Sequence, residues 1–122
     1  MAKIDLKYGR SLIPFEYDEE GFEVLAGTSS EQPLSDIEIG QKLDAPIGSE
    51  RIEEIVNSGA SVLLVVPDAT RETACGQVVN LLVRRLIANG TAVSDISIIF
   101  ATGIHRRVTE TEKQHLLTPF IA

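Results

Sequence analysis

Two short polar segments hold the side chains that could do chemistry in this chain of 122 residues, at 68–71 and at 102–106. Arg71 carries a planar guanidinium, which matches the oxygens of a carboxylate or a phosphate. His105 carries the side chain that ordinarily titrates near neutral pH, as a general acid or base must. Gly103 lacks a side chain and lets a ligand approach the backbone closely. Together these residues suit the binding of a small anion and a proton transfer.

Each of these residues also has an ordinary structural explanation. Asp68 or Thr70 can cap the helix that follows, since both types are common N-cap residues. Arg71 and Arg106 can be solvated surface charges, and a histidine or glycine in a loop often has no further role. Cys75 is more typical of a small core residue than of an activated thiol. The chain has neither a Gly-x-Gly-x-x-Gly run nor a Walker A loop, so these patterns indicate only an anion-binding α/β domain.

The elements that must position the two segments form a strand–helix–strand pattern. Residues 62–66 and 96–100 are continuous apolar runs, typical of parallel strands that are covered on both faces. Between them, residues 72–88 have apolar side chains at helical spacing. We predict a βαβ unit within a Rossmann-like parallel or mixed sheet of the α/β class. Both polar segments then follow the carboxyl ends of parallel strands, where such sheets bind ligands.

Shorter patterns predict the remaining elements. Alternating apolar and polar residues predict strands at 4–8 and 12–15, and an apolar cluster predicts a third strand at 22–25. Ser49 is predicted to cap a helix that ends at Gly59. Thr109-x-x-Glu112 has the spacing of a capping box, which predicts another helix start. The buried face of the long helix is predicted to comprise Ala74, Val78, Leu81, Leu82 and Leu86.

Composition and charge exclude several classes of protein. Apolar residues make up 43% of the chain and charged residues 24%, which is ordinary for a globular domain with a real core. The net charge of −7 opposes binding to nucleic acid or to an anionic membrane surface. No uncharged run approaches the roughly 20 residues of a membrane helix, and the charged amino terminus is unlike a secretory signal. The single cysteine cannot form an internal disulfide, and we expect a cytoplasmic protein.

Two stretches of the sequence resemble the amino-terminal domain of the lactate racemase family. The first, residues 46–74, is PIGSERIEEIVNSGASVLLVVPDATRETA, which resembles the family's Pro-Ile-Gly segment, strand and Asp-x-Thr-Arg loop. The second, residues 98–112, is IIFATGIHRRVTETE, which resembles the Ala-Thr-Gly-x-His-Arg motif and the helix start after it. The resemblance extends over roughly residues 43 to 117. The order and spacing of the two motifs make the pair more specific than either motif alone.

The resemblance implies an enzyme that racemises or epimerises a lactate-like 2-hydroxy acid with a nickel-pincer nucleotide. This cofactor is the nickel complex of pyridinium-3,5-bisthiocarboxylate mononucleotide. In the family, hydride leaves the substrate's α-carbon for the cofactor and returns to the other face, while a histidine takes the hydroxyl proton. That histidine corresponds to His105, and the group that holds the substrate carboxylate corresponds to Arg71. The implied cofactor contacts are Asp68, Ala69, Thr70, Arg71 and Gly103.

The same resemblance implies that this chain is the amino-terminal part of a longer protein. In the family, the second acid/base histidine, a cofactor-tethering lysine and the metal-ligand histidine lie in later sequence, so no nickel ligand is assigned here. We expect a β-rich portion at 1–42 and a portion that binds cofactor and substrate at 43–122. The chain alone is expected to be inactive without the carboxyl-terminal part of the protein.

Other hypotheses remain open on the sequence. The main alternative is a non-catalytic α/β domain that binds an anion or a nucleotide, and another is a structural domain whose apolar end needs a partner. A homo-oligomer is compatible with either. Ala69, Glu72 and Arg107 depart from residues common in the family, which bears on the identity of the hydroxy acid rather than on the reaction type.

Overall fold

The amino-terminal unit of the chain is a β-hairpin. A computed structural model describes residues 1–25, 27, 32–71, 73–118 and 121, which fall into two compact units, Met1–Gln32 and Pro33–Ala122. In the first unit, β1 (Ala2–Tyr8) and β2 (Ser11–Tyr17) pair antiparallel. Gly9 begins the two-residue turn between them with a φ of +59°, which glycine adopts at little cost. The two strands predicted from alternation are confirmed.

The predicted third strand at 22–25 is wrong. These residues belong to no strand, and their apolar side chains Phe22, Val24 and Leu25 are exposed. An apolar cluster becomes a strand only when it pairs with a neighbouring edge, and neither strand of the hairpin pairs with these residues. The small polar residues at 27–32 also predict a loop, of which the structure describes only residues 27 and 32.

The second unit is a small α/β domain around a parallel pair of strands. Its elements in chain order are α1 (Asp36–Asp44), α2 (Ile52–Ile55), β3 (Val62–Pro67), α3 (Cys75–Ala88), a 3₁₀ turn (Val93–Asp95), β4 (Ile96–Ala101) and α4 (Glu110–Leu116). β3 and β4 are adjacent and parallel, with Val62 opposite Ile96 and Pro67 opposite Ala101. The predicted βαβ unit is therefore confirmed. Across the described residues, no helix is both long and apolar enough to cross a bilayer.

The core of this unit lies between the sheet and one face of α3. Val79, Val83 and Leu86 are buried on α3, at the i, i+4 and i+7 spacing of a single helix face. Val79 and Val83 pack with Val66 of β3 and with Leu117 after α4. The predicted buried face is correct only at Leu86: Ala74 is exposed, and Val78, Leu81 and Leu82 are partly buried. The apolar residues of α3 lie on two overlapping faces. The face that packs against the sheet contains Val79 and Val83 rather than most of the predicted residues.

The opposite face of the parallel pair is exposed. Leu63 is 60% exposed, Val65 is 65% exposed and Ile99 is 51% exposed. The strands alternate between half-buried and exposed positions, so within the described residues only the α3 side is covered. The prediction of strands covered on both faces therefore holds for one face alone.

Two short helices before β3 differ from the prediction. α1 was not predicted, although Ser35 and Glu38 form a capping box in which the Glu38 amide donates to the Ser35 hydroxyl at 3.3 Å. α2 begins after Arg51 rather than Ser49 and spans only four residues. α1 belongs to the second unit, so the predicted boundary after residue 42 falls inside a helix. Arg85 of α3 holds both short helices through ion pairs with Asp44 and Glu53.

Candidate functional site

The two predicted polar segments emerge side by side from the parallel sheet. Pro67 and Ala101 are paired at the carboxyl ends of β3 and β4, so the loops that follow start at the same edge. Because the strands are direct neighbours, no intervening strand separates the two loops. This edge is where open α/β sheets bind their ligands.

Asp68, the first residue after β3, organises its loop through its carboxylate. Oδ1 accepts hydrogen bonds from the Thr70 amide at 3.1 Å and from the Thr70 hydroxyl at 2.6 Å. The Asp68 carbonyl accepts a further hydrogen bond from the Arg71 amide at 3.2 Å. This is a local turn held by an aspartate. Neither Asp68 nor Thr70 caps α3. The N-cap of α3 is Ala74, which makes no side-chain hydrogen bond.

His105 contacts Asp68 across the edge of the sheet. The His105 amide donates to the Thr102 carbonyl at 2.9 Å, and Gly103 between them has a φ of +55° that favours glycine. This turn brings His105 Nδ1 within 2.7 Å of Asp68 Oδ2. Asp68 is only 4% exposed, whereas the His105 side chain is 50% exposed. A buried carboxylate thus holds an imidazole whose other side faces solvent.

The Asp68 carboxyl group is ionised at neutral pH. Hydrogen bonds from Thr70, and then from His105, lower its pKa from the usual 3.8 to about 2 and outweigh the opposing effect of burial. An ionised carboxylate accepts hydrogen bonds and cannot donate one. The proton in the contact with His105 therefore resides on the imidazole nitrogen.

An open cleft of about 520 Å³ lies over the ends of β3 and β4. Its lining includes most of the residues predicted from sequence: Asp68, Thr70, Arg71, Gly103 and His105. Ala69 instead lines a smaller neighbouring cavity of about 80 Å³, which Arg106 and Glu112 also line. The larger cleft therefore brings together the guanidinium and the imidazole that could bind and deprotonate a small anion.

The two arginines near the cleft differ in their ion pairs. Arg106 donates to both carboxylate oxygens of Glu112, at 2.9 and 2.7 Å. Glu112 also accepts from the Thr109 amide at 2.9 Å, which confirms the predicted capping box at the start of α4. In the described part of the chain, no carboxylate pairs with the Arg71 guanidinium. Arg71, rather than Arg106, is therefore available to an anion in the cleft.

The start of α3 lies away from this cleft. Its predicted start at Glu72 falls outside the described residues, and Thr73 and Ala74 precede the first helical residue, Cys75. At Gly76 the helix is so close to the end of α4 that an added Cβ would lie 2.3 Å from the Leu116 carbonyl oxygen. Of the described residues at the start of the helix, Thr73, Ala74 and Gly76 line a different cavity from the 520 Å³ cleft.

Cys75 and His115 have structural surroundings. The Cys75 thiol is partly buried, with Sγ 3.8 Å from the Leu116 carbonyl oxygen, as expected of a small packed residue. His115 is exposed on α4 and lines a different cavity from His105. Over the ranges that the structure describes, no group of three or more His, Cys, Asp or Glu side chains could hold a metal ion.

The pairing of Asp68 with His105 was missed by the analysis of the sequence. The available signal was that each residue closely follows one of two parallel strands, which places an aspartate and a histidine at the same sheet edge. Glu112 was also missed as a neighbour of the site. It was recognised only as a capping residue, and its contact with Arg106 depends on where α4 packs.

Comparison with known proteins agrees with the motifs. The family described as the lactate racemase N-terminal domain matches residues 8–121. The chain is 32% identical, over 92% of its length, to a lactate racemase of Lactiplantibacillus plantarum. It is 24% identical over 92% of its length to a lactate racemase of Thermoanaerobacterium thermosaccharolyticum. It spans 27% of the length of each of these relatives.

A solved structure shows the same fold. The lactate racemase apoprotein from Thermoanaerobacterium thermosaccharolyticum superposes with a TM-score of 0.71 and 22% identity, over 95% of this chain and 27% of that one. The family match covers most of the chain and agrees with the resemblance carried by residues 46–74 and 98–112. The chain therefore belongs to the lactate racemase N-terminal domain family.

Proposed function

We propose that this chain forms part of an enzyme that racemises or epimerises a lactate-like 2-hydroxy acid by proton-coupled hydride transfer. The observation that carries the proposal is one cleft lined by both Arg71 and His105, with His105 held by a buried carboxylate. The relatives named lactate racemase supply the substrate class. Because the chain spans 27% of their length, the activity belongs to a longer protein, and the chain alone is expected to be inactive.

Arg71 binds the substrate carboxylate in this proposal. Its planar guanidinium can donate two parallel hydrogen bonds to a carboxylate, which fixes the orientation of the substrate as well as its position. The group lines the cleft and has no ion-pair partner in the described residues. Among the described residues, no ion pair of Arg71 would have to break for the substrate to bind.

His105 takes the proton of the substrate hydroxyl. Removing hydride from the α-carbon while the hydroxyl keeps its proton would produce a protonated carbonyl, which is a high-energy species. A neutral imidazole within hydrogen-bond distance removes that cost, and such bases typically contribute about 10²–10⁴-fold. Since Nδ1 contacts Asp68, the nitrogen that receives the proton is Nε2. Return of the proton from Nε2 restores the hydroxyl after the centre has inverted.

The residues of the cleft suit a nickel-pincer nucleotide. A mononucleotide carries a phosphate, and Arg71 and the Thr70 loop offer a cation and polar groups at the cleft. At Gly103 no atom lies within 4 Å of the position a Cβ would take, so the backbone is open to a bulky group. Thr70, Arg71 and Gly103 would hold the nucleotide, with Asp68 and Ala69 in the same loop. When bound, it would supply a hydride acceptor for the α-carbon, and later sequence would supply the ligands of nickel.

The βαβ unit is proposed as part of a larger Rossmann-like sheet. The parallel pair β3 and β4 has one apolar face exposed, at Leu63, Val65 and Ile99. In doubly wound sheets both faces of parallel strands are covered. We propose that carboxyl-terminal residues of the longer protein cover this face and complete the site.

The experiment is racemisation by the full-length protein, loaded with the cofactor, in deuterated water. We expect the enantiomer of L-lactate or of a longer 2-hydroxy acid to form with its α-hydrogen retained, because hydride does not exchange with solvent. Deuterium at the α-carbon would instead show proton abstraction and contradict the mechanism. Binding of a hydroxy acid with no turnover across a panel of substrates would favour a non-catalytic anion-binding domain.

A further inference from the structure

The Asp68 carboxylate is buried and both of its oxygens have partners in the protein. One oxygen accepts from the amide and the hydroxyl of Thr70, and the other lies 2.7 Å from His105 Nδ1. The residue is 4% exposed, and both of its oxygens already have partners within the protein. The contact from Oδ2 is made to the imidazole that lines the same cleft as Asp68. The geometry therefore links the carboxylate directly to His105.

The contact determines which nitrogen of His105 carries the proton. An ionised carboxylate can only accept a hydrogen bond, so Nδ1 must be the protonated nitrogen of the neutral imidazole. The lone pair of the ring then lies on Nε2, on the side of the ring away from the buried carboxylate. The other charged side chains that line the two cavities with His105 are Arg71, Arg106 and Glu112, and the last two are paired with each other.

We propose that Asp68 is a positioning residue, which holds His105 in the tautomer protonated at Nδ1 and so presents Nε2 to the substrate hydroxyl. When Nε2 takes that proton, the imidazole becomes positively charged and the adjacent carboxylate stabilises the charge. The hydroxyl proton moves to Nε2 and the proton on Nδ1 stays in place, so Asp68 itself is never protonated. This role rests on the proposed function, since it assumes that His105 is the base.

The first test is the tautomer itself, measured by nitrogen-15 NMR of the histidine side chains at a pH where His105 is neutral. We expect the parent chain to show a protonated Nδ1 and an unprotonated Nε2, with His115 as an internal reference outside the cleft. A parent His105 protonated at Nε2 would overturn the proposal without any variant. This measurement needs neither substrate nor cofactor, so it is independent of whether the longer protein is a racemase.

The second test is Asp68→Asn in the full-length protein. The asparagine carbonyl can still accept from Thr70, while its amide can donate to Nδ1, so His105 should change to the tautomer protonated at Nε2. We expect turnover to fall by on the order of 10²–10⁴-fold, with little change in KM for the hydroxy acid. In a His105→Asn background, the same change should have almost no further effect on turnover.

The outcomes separate the two proposals. If the full-length parent racemises and Asp68→Asn retains parental turnover, or if its effect adds fully to that of His105→Asn, the positioning role is wrong. If Asp68→Asn unfolds the protein, the tautomer of the parent still decides the question. If the parent has the expected tautomer but no racemase activity, the proposed function fails, and Asp68 remains only the residue that sets the tautomer.

Discussion

At the scale of single residues, two nearby arginines have different ion-pair contacts that their sequence contexts do not reveal. Arg106 pairs with Glu112 through the two terminal nitrogens of its guanidinium. Arg71 lines the cleft and has no ion pair among the described residues. The sequence placed both after predicted strands and allowed both to be solvated. The sequence could not distinguish the two arginines, because Glu112, the partner of Arg106, lies on α4 and the contact between them depends on tertiary packing.

The availability of Arg71 predicts a specific binding defect. In the full-length protein, Arg71→Ala should weaken the binding of a 2-hydroxy acid by about 10–100-fold, the size of a charge-assisted contact. Arg71→Lys keeps the charge but loses the planar pair of donors, so it should still weaken binding by about tenfold. The measurement is the dissociation constant of the hydroxy acid from isothermal titration calorimetry.

A matched control for these variants is Arg107→Lys. Arg107 is exposed in the same loop region as His105 but does not line the 520 Å³ cleft, so its replacement should leave binding unchanged. If both Arg71 variants bind like the parent, Arg71 is an ordinary surface charge. A defect of similar size in Arg107→Lys would show that the effect is not specific to the arginine that lines the cleft.

At the scale of elements, the start of α4 should make stability depend on pH. The Arg106 guanidinium, and then the Thr109 amide, lower the pKa of Glu112 from the usual 4.5 to about 2. A carboxyl pKa lowered by folding adds stability that is complete well above 4.5 and is lost as pH falls toward 2. The difference in free energy of unfolding between the parent and Glu112→Gln should therefore shrink over that range, as measured by urea denaturation.

The control for this prediction is Glu110→Gln on the same helix. Glu110 has a side chain that is 82% exposed and pairs with Lys113, one turn along the helix, so its removal should have a smaller effect at every pH. A parent-to-Glu112→Gln difference that stays constant from pH 6 to about pH 2 would contradict the account of Glu112.

The contact between α3 and α4 predicts opposite effects of one substitution at two glycines. An added Cβ at Gly76 meets the backbone of Leu116 at 2.3 Å, so Gly76→Ala should destabilise by about 1–3 kcal/mol despite the higher helix propensity of alanine. At Gly40 of α1 no atom lies within 4 Å, so Gly40→Ala should stabilise by about 0.5–1 kcal/mol. Midpoints of thermal unfolding that shift in the same direction would contradict this packing.

The sequence predicted β3, α3 and β4 best, and these three elements contribute most of the core residues. The runs in β3 and β4 are long and apolar, and the helix between them is periodic, so few alternatives remained. α1 has little apolar periodicity and was missed despite its capping box. The buried face of α3 was mispredicted because Val79 and Val83 compete with neighbouring apolar residues, and only the sheet decides between them.

At the scale of the whole molecule, the proposed site residues gather in one unit of the chain. The sheet edge, the Asp68–His105 pair and Arg71 all lie in the second unit, whereas Leu63, Val65 and Ile99 present an uncovered apolar face. The relatives that it matches are much longer, since the chain spans 27% of their length. The sequence motifs predicted residues that the fold brings to one cleft, but the residues that would complete the proposed site cannot be read from this sequence.

The role of His105 as the base is tested most directly by the racemisation rate of the full-length, cofactor-loaded protein that carries His105→Asn. Asparagine is polar and of similar size, so it can keep the turn after β4, but it cannot take a proton at neutral pH. We expect a nearly unchanged melting temperature, retained cofactor and a loss of at least about a hundredfold in turnover. Parental turnover in this variant would contradict the account, because His105 would then have no part in the proton transfer.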